Sequence, residues 1–104
     1  MSEFVKVASR KDLPPGGKTL AEVDGRPIAV FNVDGSFYAI DDVCTHDGGP
    51  LAEGEFDPAS CTVECPRHGS LFDLRTGRPR TLPAYQPVET FEVRLDGDEV
   101  KLEL

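Results

Sequence analysis

A chain of 104 residues makes one small domain with a modest core, which an internal metal or disulfide staple would help to hold. Nineteen acidic against eleven basic residues give a net charge of −8, which argues against nucleic acid and anionic lipid surfaces, since both require a basic face. Apolar residues are 38% of the chain and nowhere approach the ~18–20 consecutive positions that span a bilayer.

Met1-Ser2-Glu3-Phe4-Val5-Lys6 lacks a basic stretch followed by an apolar one, so no signal peptide is expected. The first strand is expected at Phe4-Val5-Lys6-Val7. Leu20-Ala21-Glu22-Val23 and Ile28-Ala29-Val30-Phe31-Asn32-Val33 follow, joined at Asp24-Gly25. Phe37-Tyr38-Ala39-Ile40 comes next, after Asp34-Gly35. Near the end, Glu89–Leu95 alternates, turns at Asp96-Gly97, and runs on as Glu99–Leu104. An Asp-Gly pair between apolar runs is a tight-hairpin signal, because it tolerates the left-handed backbone such turns need. Nine prolines and ten glycines interrupt any helical period.

The expected fold is therefore all-β, in stacked antiparallel sheets that form a sandwich or partly open barrel. One domain is expected over 1–104. A loop-rich subdomain, about 42–82, would be inserted in a β base. Both histidines and all three cysteines fall inside that insertion. A long loop-rich insertion in a compact β domain is usually functional or unfolded.

Two segments carry the chemistry. Cys44-Thr45-His46-Asp47-Gly48-Gly49-Pro50 has Cys-x-His spacing, and Cys65-Pro66-Arg67-His68-Gly69-Ser70 has Cys-x-x-His spacing. Each offers one thiolate and one imidazole. Structural zinc sites usually pair like ligands locally, as Cys-x2–4-Cys and His-x3–5-His. In extended chain, Cys-x-His puts both side chains on one side, roughly two strand rises apart. That separation suits neighbouring irons of a binuclear cluster better than a single tetrahedral ion.

These segments resemble the ligand boxes of Rieske [2Fe–2S] proteins. Gly48, Gly49 and Pro50 after the first pair agree, as do Pro66, Gly69, Phe72 and Asp73 around the second. The short β segments on both sides resemble a small Rieske ferredoxin over nearly the whole chain. The resemblance implies a Rieske-like fold with a [2Fe–2S] cluster held by Cys44, His46, Cys65 and His68, the two cysteines on one iron and the two histidines on the other. Neutral imidazoles make such a cluster less negative, and its potential lies at roughly −150 to +300 mV, against about −400 mV for four-Cys plant-type ferredoxins. Gly48, Gly49 and Gly69 would let backbone amides approach the sulfurs. Pro83 sits where the family places a third, covering loop.

The departures narrow the resemblance. Cytochrome bc-type members carry an extra cysteine in each box, forming a disulfide; Gly49 and Arg67 occupy those places. Ser70 matches a serine that donates to the cluster in the high-potential group, but Phe72 replaces its tyrosine partner. Fewer donors stabilise the reduced cluster less, so a low potential is expected. The pattern resembles ferredoxins that serve bacterial ring-hydroxylating dioxygenases.

That resemblance implies a one-electron carrier, not an enzyme, receiving electrons from an NAD(P)H-dependent flavin reductase and passing them to a terminal oxygenase. The protein is expected to be cytoplasmic and monomeric, binding neither membrane nor nucleic acid. No Gly-x-Gly-x-x-Gly fingerprint is present, and both histidines are already assigned. A small regulatory or assembly subunit, or a zinc-binding module, are the alternatives. Cys61 is expected to be a buried apolar residue on a strand entering the second box. Pro50, Leu51, Pro83 and Tyr85 are expected as an apolar docking rim. Asp41, Asp42, Asp47, Glu53, Glu55 and Asp57 would form an acidic one, or simply a solvated face. Arg67 is expected to lie exposed beside the cluster.

Overall fold

The computed structural model describes residues 4–43, 50–66, 69–82 and 86–103. Among them the regular elements are ten short strands and two single 3₁₀ turns. The strands are β1 (Phe4–Ser9), β2 (Lys18–Val23), β3 (Arg26–Val33), β4 (Ser36–Asp41), β5 (Phe56–Asp57), β6 (Thr62–Glu64), β7 (Leu71–Asp73), β8 (Thr90–Phe91), β9 (Val93–Asp96) and β10 (Glu99–Glu103). They form three antiparallel sheets, ordered β1-β10-β9, β2-β3-β4-β8 and β5-β6-β7.

The central sheet is covered on both faces, and β3 shows why. Ile28, Ala29, Val30, Phe31 and Asn32 are buried in succession, the pattern of a strand without a wet face. Successive side chains point to opposite faces. Ile28 and Val30 therefore pack with Leu13, Ala39, Val100 and Leu102 against the β1-β10-β9 sheet. Ala29 and Phe31 pack on the other side with Leu51, Val63, Cys65, Phe72 and Leu74. The rings of Phe31 and Phe56 meet edge-on at 4.9 Å, tying β5 to the central sheet. The small third sheet is thus a layer carried on the base.

The Asp-Gly turns form as expected in two of three places. Asp24-Gly25 and Asp34-Gly35 join β2 to β3 and β3 to β4 with both residues at positive φ. In the last hairpin Glu99 faces Asp96, so the central pair is Gly97-Asp98 and the left-handed residue is Gly97. The run Glu89–Leu95 is also not one strand. β8 pairs with β4 in the central sheet, while β9 pairs with β10 in another. Glu92, between them, accepts a 2.9 Å hydrogen bond from the Glu103 N–H, so the chain changes sheets there.

No helix among the described residues is long and apolar enough to cross a membrane.

Candidate iron–sulfur site

The second box is the loop of the β6–β7 hairpin. The ladder pairs Thr62 with Asp73, Val63 with Phe72 and Glu64 with Leu71. One step further, the Cys65 N–H donates to the Ser70 carbonyl at 2.8 Å, and the Gly69 N–H donates to the Cys65 carbonyl at 3.0 Å. Gly69 takes φ +76°, which a side chain would strain. Cys65 therefore stands at the mouth of a pinched loop, only 1% exposed, above the core formed with Val63 and Phe72. Arg67 and His68 lie outside the described residues.

The first box begins where β4 ends. Cys44, His46, Asp47, Gly48 and Gly49 lie outside the described residues, but both shoulders are fixed. The Asp42 N–H donates to the Pro27 carbonyl at 3.0 Å. Its carboxylate accepts the Ala52 N–H at 2.6 Å and also bonds the Leu51 N–H. These amides open the 3₁₀ turn Leu51–Glu53, whose backbone donors would otherwise lack partners. Burial raises the Asp42 carboxyl above its usual value; the two amides pull it back and the nearby Glu53 and Asp41 push it up again.

The two boxes are joined beneath. Gly54, ending the 3₁₀ turn, packs on β6 so closely that a Cβ would stand 1.6 Å from the Glu64 carbonyl oxygen. The Glu64 N–H donates to Glu55 O at 2.8 Å, and the Lys18 ammonium donates to Gly54 O at 2.6 Å.

The segment before Pro83 is laced to β7. The Leu71 N–H donates to Thr81 Oγ1 at 2.8 Å, the Arg80 N–H to Leu71 O at 2.6 Å, and the Asp73 N–H to Arg78 O at 2.8 Å. The Arg80 guanidinium bonds the Asp73 carboxylate at 2.8 Å. Burial alone would raise the Asp73 carboxyl, but the bonds and charges of Arg80 and Arg75 hold it below its ordinary value. Gly77 is needed here as well: a Cβ would meet Val88 O at 2.1 Å. Pro83 and Tyr85 lie outside the described residues.

Several expectations are corrected. Leu51 belongs to the core, not to a docking rim, because the 3₁₀ turn rolls it inward against Val63 and Phe72. The large apolar side chains exposed beside the ligand segments are Val43 and Leu82, the latter 79% exposed. Asp42 is buried, so it leaves the acidic rim. Glu53, Glu55 and Asp57 are exposed on it, and Asp41 is half-buried beside Arg26. Cys61 is buried as expected and in no disulfide, with burial raising its thiol. It is a turn residue with φ 57°, however, and not part of β6. Asp42, Gly54, Gly77 and Thr81 act across the chain, and their placement had no short-range signal. Only Gly54, following an apolar-acidic turn, carries a helix-stop mark.

The donor set and the surroundings fit a binuclear cluster. Two thiols and two imidazoles come in mixed pairs, and the described thiol, Cys65, is sheltered in a turn that closes through Gly69 at positive φ.

A layered β protein with such loops is an iron–sulfur electron carrier by class. The description "Rieske [2Fe-2S] domain" matches residues 3–92, and the chain belongs to that family. It is 41% identical over 101 residues to the ferredoxin component of a biphenyl 2,3-dioxygenase from Rhodococcus jostii, covering 97% of this chain and 92% of that one. It is 42% identical over 91 residues to the ferredoxin subunit of a 3-phenylpropionate/cinnamic acid dioxygenase from Escherichia coli, covering 86% of this chain and 84% of that one. Among solved structures, the ferredoxin of carbazole 1,9a-dioxygenase from Nocardioides aromaticivorans is similar with a TM-score of 0.91 and 39% identity, covering 95% of each chain. A ferredoxin in a complex of reduced oxygenase and oxidized ferredoxin in carbazole 1,9a-dioxygenase matches with a TM-score of 0.89 and 37% identity over 95% of this chain and 91% of that one. The chain carries a [2Fe–2S] cluster and moves electrons; it is not itself an enzyme.

Proposed function

We propose that this chain passes single electrons from a flavin-dependent, NAD(P)H-consuming ferredoxin reductase to the terminal oxygenase of a ring-hydroxylating dioxygenase system in the cytoplasm. The cluster supplies a one-electron couple within the Rieske range. Cys44 and Cys65 are its thiolate ligands, and His46 and His68 its imidazole ligands. The subdomain 42–82 holds them, and the outer β sheets form the base. The observation that supports this reading most is the pinch between Cys65 and Ser70, which holds a buried thiol at the mouth of the β6–β7 hairpin. The oxygenase partner is supported by the 37% identical ferredoxin solved in complex with an oxygenase.

Val43 and Leu82 offer apolar contact beside the ligand loops, and Glu53, Glu55 and Asp57 supply a negative margin. Such electron-transfer encounters are small in area and salt-sensitive. The test is turnover. With reductase, NAD(P)H and oxygenase, the chain supports substrate hydroxylation, and Cys44→Ser, His46→Ala, Cys65→Ser and His68→Ala each lose the cluster and the activity. A purified chain that is colourless and filled with zinc contradicts the reading. So does one that is reduced yet delivers no electrons.

A further inference from the structure

We propose that Asp42 is a positioning residue for the iron–sulfur site, clamping the base of the first ligand loop by joining the end of β4 to the turn that follows Pro50. The inference rests on the reading of Cys44 and His46 as ligands. The chain leaves the central sheet after Asp41 and comes back to the core at Leu51, which opens the 3₁₀ turn. Asp42 is bound on both sides of that gap, its N–H to Pro27 O at 3.0 Å and its carboxylate to the Ala52 N–H at 2.6 Å. It is 6% exposed, so water competes little for these bonds. Leu51 is sealed in the core on the far side, and Gly54 locks the same turn against β6. The carboxylate thus links the shoulder of the first box to the strand that leads into the second.

A buried carboxylate is an expensive way to close a loop unless it is hydrogen-bonded. Here it satisfies amides that open a 3₁₀ turn with no other side-chain cap. Groups that orient ligands without touching the metal typically change metal retention 10–100-fold when removed. Asp42 lies two residues before Cys44 and acts through the geometry of that loop.

The test measures iron release from the holo-protein to a strong chelator, together with the line shape of the reduced cluster in electron paramagnetic resonance. Five chains are compared at a temperature where all are folded. Asp42→Ala is expected to release iron about 10-fold or more faster and to broaden the spectrum. Asp42→Asn, which keeps an acceptor of the same reach, is expected to stay within about 3-fold of the unsubstituted chain. Val100→Ala, in the base, is expected to lower the melting temperature without changing release or line shape. If Asp42→Ala does not fold, Asp42→Glu takes its place, keeping the charge but misplacing the oxygens; it is expected to release faster than Asn. Asp42→Ala behaving like Val100→Ala overturns the proposal, as does Asp42→Asn matching Asp42→Ala. A Cys44→Ala chain that retains the full cluster overturns instead the ligand reading beneath it.

Discussion

The Cβ that Gly54 lacks would stand 1.6 Å from the carbonyl oxygen of Glu64. This backbone-to-backbone approach joins the downstream shoulder of the first ligand box to the strand that delivers Cys65. Gly54→Ala must push the two apart. The expected loss is about 2–3 kcal/mol in urea unfolding, with a lower iron content after purification. Gly25→Ala is the control: its φ is +79°, but open space surrounds the missing Cβ, so it strains the turn without losing iron. Equal iron content in both variants would contradict the account.

Asp73 gives a pH signature. Its folded carboxyl lies below the ordinary value of 3.8, so it favours the folded state above that pH. The contribution is lost as the pH falls through the lowered folded value. Half-exposed Arg80 limits it to about 1 kcal/mol. Asp73→Asn is therefore expected to be less stable by about that amount near neutrality, with the gap closing in acid below pH 3.8. Chemical denaturation across pH measures it; a gap that persists in acid would show that Asp73 acts through packing alone.

Phe72 is fully buried and brings no hydroxyl to the second hairpin. The midpoint potential is expected below about +100 mV, toward the low end of the Rieske range. Phe72→Tyr is expected to raise it, at a cost of about 1–3 kcal/mol in stability if the new hydroxyl finds only a poor partner. A redox titration of both proteins decides this.

Leu82 is exposed beyond any structural need. Leu82→Ser is expected to leave stability within about 0.5 kcal/mol. Reduction of the oxygenase should slow about 5-fold, the effect of losing roughly 1 kcal/mol of apolar contact. Stopped-flow electron transfer at several salt concentrations separates this from the acidic margin, whose effect fades with salt. A rate unchanged at every salt concentration would place docking elsewhere.

The sequence made the base legible because its signals are local. Alternation and Asp-Gly turns marked β1 to β4 and β10; the burial of β3 on both faces came only with the structure. The division of Glu89–Leu95 between sheets was hidden, since nothing in its alternation names a partner strand. The two Cys/His segments proposed to hold the cluster stood out by residue type and spacing. Their supports did not: Asp42 meets Ala52, Gly54 meets Glu64 and Gly77 meets Val88 only after the chain has folded. Leu51 was misplaced for a related reason. Its position after Gly-Gly-Pro suggested an exposed loop, but the turn capped by Asp42 buries it.

The central claim is a [2Fe–2S] cluster with two thiolate and two imidazole ligands. The most direct measurement is nitrogen hyperfine coupling in the paramagnetic resonance of the dithionite-reduced protein. The account predicts strong couplings from two imidazole nitrogens, with one lost in His46→Cys and its potential lowered. A reduced protein without nitrogen coupling, or a purified chain holding zinc and no iron, would contradict it.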